Sequence, residues 1–365
     1  MIRPASLSDL SALLTLEKRC FDTDQLSRRS FRYLLTEGNA ETIVDERYGR
    51  IRGYAMVLFN SGTSLARLYS LAVDPDYRGR GLGADLLAAA EEVARQCDCI
   101  SMRLEIRRDN SRGIALYRKA GYKKFGVHPD YYEDHMDAFR FEKELAPHLK
   151  PDLVKVPFYG QTLDFTCGPA ALLMAMSALN PDVDLNRKSE LRIWRESTTI
   201  FMMSGHGGCD PYGLALAAYR RGFSVEVYVS ETGALFVDSV RSQEKKEVMR
   251  IVQEDFIAQI RELPIKLHYG TLTVEGLQEH FMDGGVLLVL ISSYRIYHEK
   301  FPHWIVVTGF DDRYIYVHDP YVDEAAERSP TDCINMPILK KDFALMARYG
   351  KAGQKAVIIL RRGEE

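Results

Sequence analysis

The segment Ala146–Pro157, APHLKPDLVKVP, limits what this chain can fold into more than any other feature. It holds three prolines and has neither a helical nor an alternating apolar period, so neither helix nor strand runs through it. The patterns on its two sides differ, and 365 residues are enough for two domains that each bury a core. The expected organisation is a first domain over residues 1–145, a linker over 146–156 and a second domain over 157–365.

The first stretch alternates helix and strand. Its periodicity predicts helices over Leu7–Phe21 and Ser30–Glu37, then strands over Ala40–Asp45, Ile51–Phe59 and Leu65–Val73. Helix Gly81–Gln96, strand Ser101–Ile106, helix Ser111–Ala120 and strand Ala138–Glu142 follow, a mixed α/β unit. The second stretch opens with helices over Cys167–Leu179 and Leu214–Arg221, strand Ser224–Tyr228 and a charged helix Gln243–Ile260. It ends in strands Gly285–Ile291, Trp304–Phe310, Tyr314–His318 and Ala356–Leu360. That order predicts an antiparallel sheet packed on the earlier helices, an α+β unit. No internal repeat or low-complexity tract interrupts either stretch.

A net charge of -3 offers no field to gather nucleic acid or an anionic membrane. The start, MIRPASLSDL, lacks the apolar run of a secretory signal, and the longest apolar run, Val286–Ile291, is far too short to span a bilayer. A soluble cytoplasmic protein is expected. Its six cysteines follow no disulfide spacing, so reduced thiols are expected and each needs a reason in packing or reactivity. Cys97 and Cys99, which straddle a helix-to-strand turn, are expected to pack. His206 and Cys209 in GHGGCD lack a second pair of suitable spacing, so no metal site is expected and the segment reads as a glycine-rich loop lining a cleft.

Between residues 65 and 96 a strand, a glycine-rich turn and an amphipathic helix follow one another, with Arg78, Gly79, Arg80, Gly81 and Gly83 at the turn. Glycines there let backbone N–H groups converge on one centre, and the positive helix end adds to them, so the turn suits a pyrophosphate. No Gly-Lys-Ser/Thr follows, and the preceding residues do not fit the dinucleotide fingerprint. The pattern Arg-x-x-Gly-x-Gly after LAVDPDY resembles the acetyl-CoA loop of the GNAT acetyltransferases, and RLEIRRDNSRGIALYRKAGYKKFG extends the likeness over residues 1–145. Within that family the segment is most similar to the ribosomal-protein alanine acetyltransferases, including HPDYYED, which resembles their substrate loop. The resemblance implies a mixed sheet with helices on both faces and acetyl-CoA as cofactor. It also implies cofactor contacts at Leu71, Val73, the turn residues and Asn110. Glu105 would then accept the amine proton, directly or through water, and Tyr117 would protonate the departing thiolate. Both are the right chemical types for an amine attacking a thioester.

In GQTLDFTCGPAALLMAM, Cys167 stands at the start of an apolar helix, where the dipole and free N–H groups stabilise a thiolate. Pro169 fits the first turn, Gly168 leaves room beside the sulfur for a carbonyl, and the Gln161 amide can complete an oxyanion hole with the Cys167 N–H. His303 opens one late strand, and Asp319 follows the next, in VHDP; adjacent antiparallel strands bring such ends together. His318 is a rival base, but alternation points it to the opposite face. The order Gln, Cys, His, Asp resembles the papain-like bacteriocin-processing peptidases of family thirty-nine over residues 156 to about 320, which implies a helix-plus-antiparallel-sheet fold and a catalytic set of Gln161, Cys167, His303 and Asp319. The segment SELRIWRESTTIFMMSG departs from that family.

The two resemblances together imply a bifunctional enzyme acting on peptide or protein substrates, by N-acetylation and by cleavage. Two alternatives stay open for the cysteine: acyl transfer to an amine, and an inert thiol in a peptide-binding module.

Overall fold

The alternating stretches of the N-terminal part pair into one seven-stranded sheet. The computed structural model describes residues 1–199, 207–323 and 328–363, and the chain divides into two units, Met1–Leu149 and Lys150–Glu365. In the first unit β1 (Ile2–Pro4), α1 (Leu10–Cys20), α2 (Arg28–Thr36), β2 (Ala40–Arg47), β3 (Arg50–Phe59) and β4 (Leu65–Val73) precede α3 (Leu82–Gln96). Then come β5 (Ser101–Arg107), α4 (Ser111–Lys119), β6 (Lys123–His128) and β7 (Ala138–Glu144). The strand order is β1-β2-β3-β4-β5-β7-β6, with β4 and β5 the parallel pair. Leu13 and Phe31, from α1 and α2, pack over Tyr54 and Met56 on one face. Leu86 of α3 and Ile114 of α4 cover Leu68, Leu104 and Phe141 on the other. Helices therefore lie on both faces, as the alternation requires. β1 and β6 are the two edge strands and escape the sequence pattern, being short or, in KKFGVH, mostly exposed.

In the second unit β8 (Asp152–Leu153), α5 (Cys167–Leu179), α6 (Arg187–Ser197), α7 (Pro211–Tyr219), β9 (Phe223–Val229), α8 (Gln243–Arg261), β10 (Lys266–Tyr269) and α9 (Val274–Met282) lead into the sheet-rich end. There β11 (Val286–Ser292), α10 (Tyr294–Tyr297), β12 (Pro302–Phe310), β13 (Tyr314–His318), β14 (Met336–Leu339), α11 (Lys340–Met346) and β15 (Ala356–Arg362) follow. The sheet runs β10-β9-β15-β11-β12-β13-β14, with β8 on β12. It is antiparallel except at β9 and β10, which pair in parallel. The exception follows from connectivity: α8 carries the chain from β9 back to the same end of the sheet, as a crossover helix must.

α5 is apolar all round because it is buried all round, between α6, α7 and the sheet. The second face is covered by α9 and α11, through Leu277, Phe281 and Phe343. The stretch expected to be a plain connector contributes a strand, since Asp152 and Leu153 pair with Phe310 and Gly309. Gly309 permits this, because a Cβ there would lie 2.5 Å from the Asp152 carbonyl oxygen. No helix among the described residues is long and apolar enough to cross a membrane.

Two candidate active sites

β4 and β5 pair only from Leu65–Arg67 to Ser101–Arg103, although both strands run on to Val73 and Arg107. Past Arg67 they diverge, and the β4 edge carrying Leu71 and Val73 leaves backbone groups open toward the gap. At the end of β4 the chain turns through Gly79 and Gly81, at φ of 77° and 84°, which glycine alone adopts at little cost. Gly81 is the N-cap of α3, so the first helical N–H groups lack intrahelical acceptors and suit an anion. A Cβ on Gly79 or Gly81 would meet nothing within 4 Å, and one on Gly83 only Leu116 and Val73 at 3.5 and 3.7 Å. These glycines serve backbone conformation and open approach rather than internal packing. Arg78 turns Nε onto the Val73 carbonyl at 2.9 Å, and Arg80 lies over the Tyr77 ring. Asn110 caps α4, its Oδ1 accepting from the Gly113 N–H at 2.9 Å. An open strand edge that ends in a glycine turn and a helix start fits a long ligand with a pyrophosphate at one end.

On β5, Glu105 Oε2 accepts from Arg67 Nε at 2.9 Å, and both side chains are about 4% exposed. Arg67 also donates to the Tyr131 hydroxyl at 2.8 Å. Tyr117 is buried on α4, edge-on to Tyr122, and burial pushes its phenol well up. Tyr132 is pushed up first by burial, then by Tyr131, Glu105 and Tyr117, against the opposing pull of the Arg107 guanidinium. The segment His128–Asp134 thus sets Tyr131 on Arg67, the partner of Glu105, and Tyr132 within electrostatic reach of both expected acid–base residues.

In the second unit Cys167 is the first residue of α5 and is buried. His303, the second residue of β12, places Nε2 2.6 Å from Asp319 Oδ1, with both side chains sealed from solvent. Asp319 also accepts from the Tyr297 hydroxyl at 2.7 Å and the Tyr321 N–H at 2.9 Å. Burial works against charge on both groups, but their mutual attraction outweighs it. Asp319 is held below the usual carboxylate range, and Asp319 together with Cys167 lifts His303 to about 10. With Nε2 on Asp319, Nδ1 is the ring nitrogen available to the thiol. The Gln161 N–H donates to the Pro320 carbonyl at 2.8 Å, which holds this loop beside Asp319. The Gln161 side chain donates from Nε2 to the Leu163 carbonyl at 2.9 Å, leaving its second N–H.

Residues 156–361 match the family described as Peptidase_C39 like, and residues 9–122 match the GNAT acetyltransferase family. The chain belongs to both families. Its GNAT segment is similar to the ribosomal protein bS18-alanine N-acetyltransferase of Salmonella typhimurium, 30% identical over 36% of this chain and 89% of that protein. It is also similar to the putative enzyme of that name from Bacillus subtilis, 28% identical over 36% of this chain and 87% of the other. Ard1 of Thermoplasma volcanium, a solved structure, aligns at 27% identity and a TM-score of 0.37 over 40% of this chain and 96% of its own. The GNAT unit is thus an N-acetyltransferase domain, and acetyl-CoA is the cofactor of its class.

Two expectations need correction, one in each unit. Gly168 does not leave room beside the sulfur: a Cβ there would meet Leu214, Trp304 and Cys209 at 3.1, 3.2 and 3.4 Å, so the glycine lets α5 approach β12. Cys97, in the GNAT unit, is exposed, because it caps α3 at the turn, whereas Cys99 packs in the core. His206 lies outside the described residues. Among those residues no three His, Cys, Asp or Glu side chains group as metal ligands. His318 uses both ring nitrogens, Nε2 on the Val156 carbonyl and Nδ1 accepting from the Asn335 N–H, each at 2.9 Å.

Other supporting groups carried no sequence signal. Glu190, fully buried on α6, accepts from Thr162 N–H, Thr162 Oγ1 and the Tyr159 hydroxyl at 2.6 to 2.9 Å and so fixes the Gln161 loop. Asp210 caps α7 beside Cys209, and burial pushes its carboxyl up to about 7.

Proposed function

We propose that the chain is a bifunctional peptide-modifying enzyme, with residues 1–145 acetylating a peptide or protein amine and residues 157–365 cleaving a peptide bond. The observation that carries the reading is the sealed His303–Asp319 pair at 2.6 Å, with Cys167 acting on the same imidazole. In the GNAT unit, the names of the relatives and the tyrosine-rich segment over Glu105 support a peptide amine.

Acetyl-CoA, when bound, supplies an acetyl thioester. Leu71, Val73, Arg78, Gly79, Arg80, Gly81, Gly83 and Asn110 are proposed to hold it, through the open β4 edge and the N–H groups at the start of α3. Glu105 takes the proton of the incoming amine, directly or through water, while its Oε2 is steadied by Arg67. The Tyr117 hydroxyl, kept protonated by burial, gives its proton to the departing sulfur.

In the cysteine unit Asp319 orients His303 and keeps its proton in place at neutral pH. The Cys167 sulfur attacks the peptide carbonyl, and the Cys167 N–H and the Gln161 amide receive the oxyanion. His303 then protonates the leaving amine, and water hydrolyses the thioester.

Purified protein incubated with a peptide library, with and without acetyl-CoA, tests both halves by mass. Cleavage lost only in Cys167→Ala, and acetylation weakened only in Tyr117→Phe, are the expected results. Absence of cleavage that is restored as ligation by an added amine would recast the cysteine unit as a transferase.

A further inference from the structure

Three arginines on β4 and β5 of the GNAT sheet have carboxylate partners. Arg67 holds Glu105 at 2.9 Å, Arg103 holds Glu142 at 2.8 Å, and Arg107 holds Asp109 and Asp134 at 3.1 and 2.9 Å. The fourth, Arg140 on β7, sits directly across the strand pair from Glu105. It makes no hydrogen bond or ion pair among the described residues, and its Nε is sealed without a partner.

Burial disfavours the charge of this half-buried guanidinium, and the repulsion of Arg103 works against the attraction of Glu105, whose carboxylate is hydrogen-bonded to Arg67 rather than to Arg140. Its pose is nonetheless built. The group lies against Gly126 of β6, where a Cβ would meet Nη2 at 2.6 Å and Nε at 2.8 Å, and it stacks over the Phe125 ring at 5.2 Å. A fork held flat in this way is preorganised for a carboxylate. Side chains directly opposed across an antiparallel pair have Cβ atoms about 5 Å apart, so an anion on Arg140 would lie one residue from an amine at Glu105.

We propose that Arg140 is a specificity residue, selecting amine substrates that carry a carboxylate next to the reacting nitrogen. The proposal rests on the reading of Glu105 as the group facing the amine. The carboxylate has two sources, an acidic side chain at the second position of a peptide or the α-carboxylate of a free amino acid.

The test measures kcat/KM of the full chain with acetyl-CoA on peptides that begin Ala-Asp, Ala-Asn and Ala-Lys, and on alanine beside alaninamide. A charge-assisted hydrogen bond predicts a preference for the acidic over the neutral partner of about ten- to a hundredfold. The peptide set and the alanine pair tell the two sources apart. Arg140→Gln is expected to collapse that ratio toward one, and Arg140→Glu to turn the peptide preference toward Ala-Lys, a gain that misfolding does not produce. Gly126→Ala, which displaces the guanidinium without altering charge, should lower the ratio as well. Equal rates on the three peptides and on the alanine pair, or a ratio unchanged in Arg140→Gln, overturn the proposal and leave the acetyltransferase reading standing. Thermal stabilisation by acetyl-CoA with no acetylation of any of these amines overturns both.

Discussion

His303 and Asp319 face each other at 2.6 Å with neither side chain exposed to solvent, at the ends of two neighbouring strands. The pair has a definite pH signature. His303 is raised from 6.5 to about 10, so its contribution to stability is complete below about pH 6.5 and is lost as pH rises through about 10. Asp319 is lowered from 3.8, so its contribution is present above that pH and lost as pH falls through its folded value. In Asp319→Asn only burial and the thiol act on the ring, and His303 should titrate well below about 10. The NMR titration of the His303 ring reads this directly. If Cys167 and His303 work together, peptide cleavage should fall by roughly 10²- to 10⁴-fold in the same variant.

The glycine turn before α3 separates a fold requirement from a ligand requirement. Gly81→Ala places a side chain at φ 84°, costing about 1–2 kcal/mol in backbone strain. Gly83→Ala meets only ordinary contacts, so its stability should change by less than about 0.5 kcal/mol. If the pyrophosphate sits on these N–H groups, acetyl-CoA affinity nevertheless falls in Gly83→Ala. Calorimetric titration beside thermal unfolding resolves the two effects, and unchanged affinity in Gly83→Ala would move the ligand elsewhere.

What the sequence made legible was local or periodic. The helix start at Cys167, the strands that carry His303 and Asp319, and the glycine turn after β4 are each written in a short window. Pairings across long separations were not. Arg67 and Glu105 are 38 residues apart and meet only because β4 and β5 pair briefly before they diverge. Glu190 anchors the Gln161 loop from 28 residues away, on a helix whose charged sequence hid its one buried carboxylate. Gly168 was misread because room and close packing call for the same residue, and only its neighbours decide between them. β1 and β6 went unread because an edge strand needs no two-sided apolar pattern.

Gly168 also yields a stability prediction. Gly168→Ala forces a methyl group against Trp304, Leu214 and Cys209, an overpacking that costs about 1–3 kcal/mol. Because Trp304 adjoins His303 and Gly168 adjoins Cys167, relief of the clash moves the two apart. Slower alkylation of Cys167 together with a lower denaturant midpoint is the expected pair of results. A lower midpoint with unchanged alkylation would mean that α5 yields away from the thiol.

In the proposed mechanism Tyr117 and Glu105 divide the proton transfers of acetylation, and their surroundings predict different failures. Tyr117 is enclosed by apolar groups and Tyr122, and its hydroxyl has no hydrogen-bond partner among the described residues, so Tyr117→Phe removes one oxygen and little packing. Its effect should fall on kcat, by about 10²- to 10⁴-fold, with KM and unfolding nearly unchanged. Glu105 is tied to Arg67 in a pair shut off from water, so Glu105→Gln leaves a buried cation short of its anion and should destabilise by about 3 kcal/mol or more. The double variant Glu105→Gln with Arg67→Met, which removes both charges, should recover part of that stability and none of the activity. Steady-state kinetics and denaturant unfolding of the three proteins together decide whether Glu105 is a base held by an ion pair or simply half of one. Recovery of acetylation in the double variant would assign it the second role.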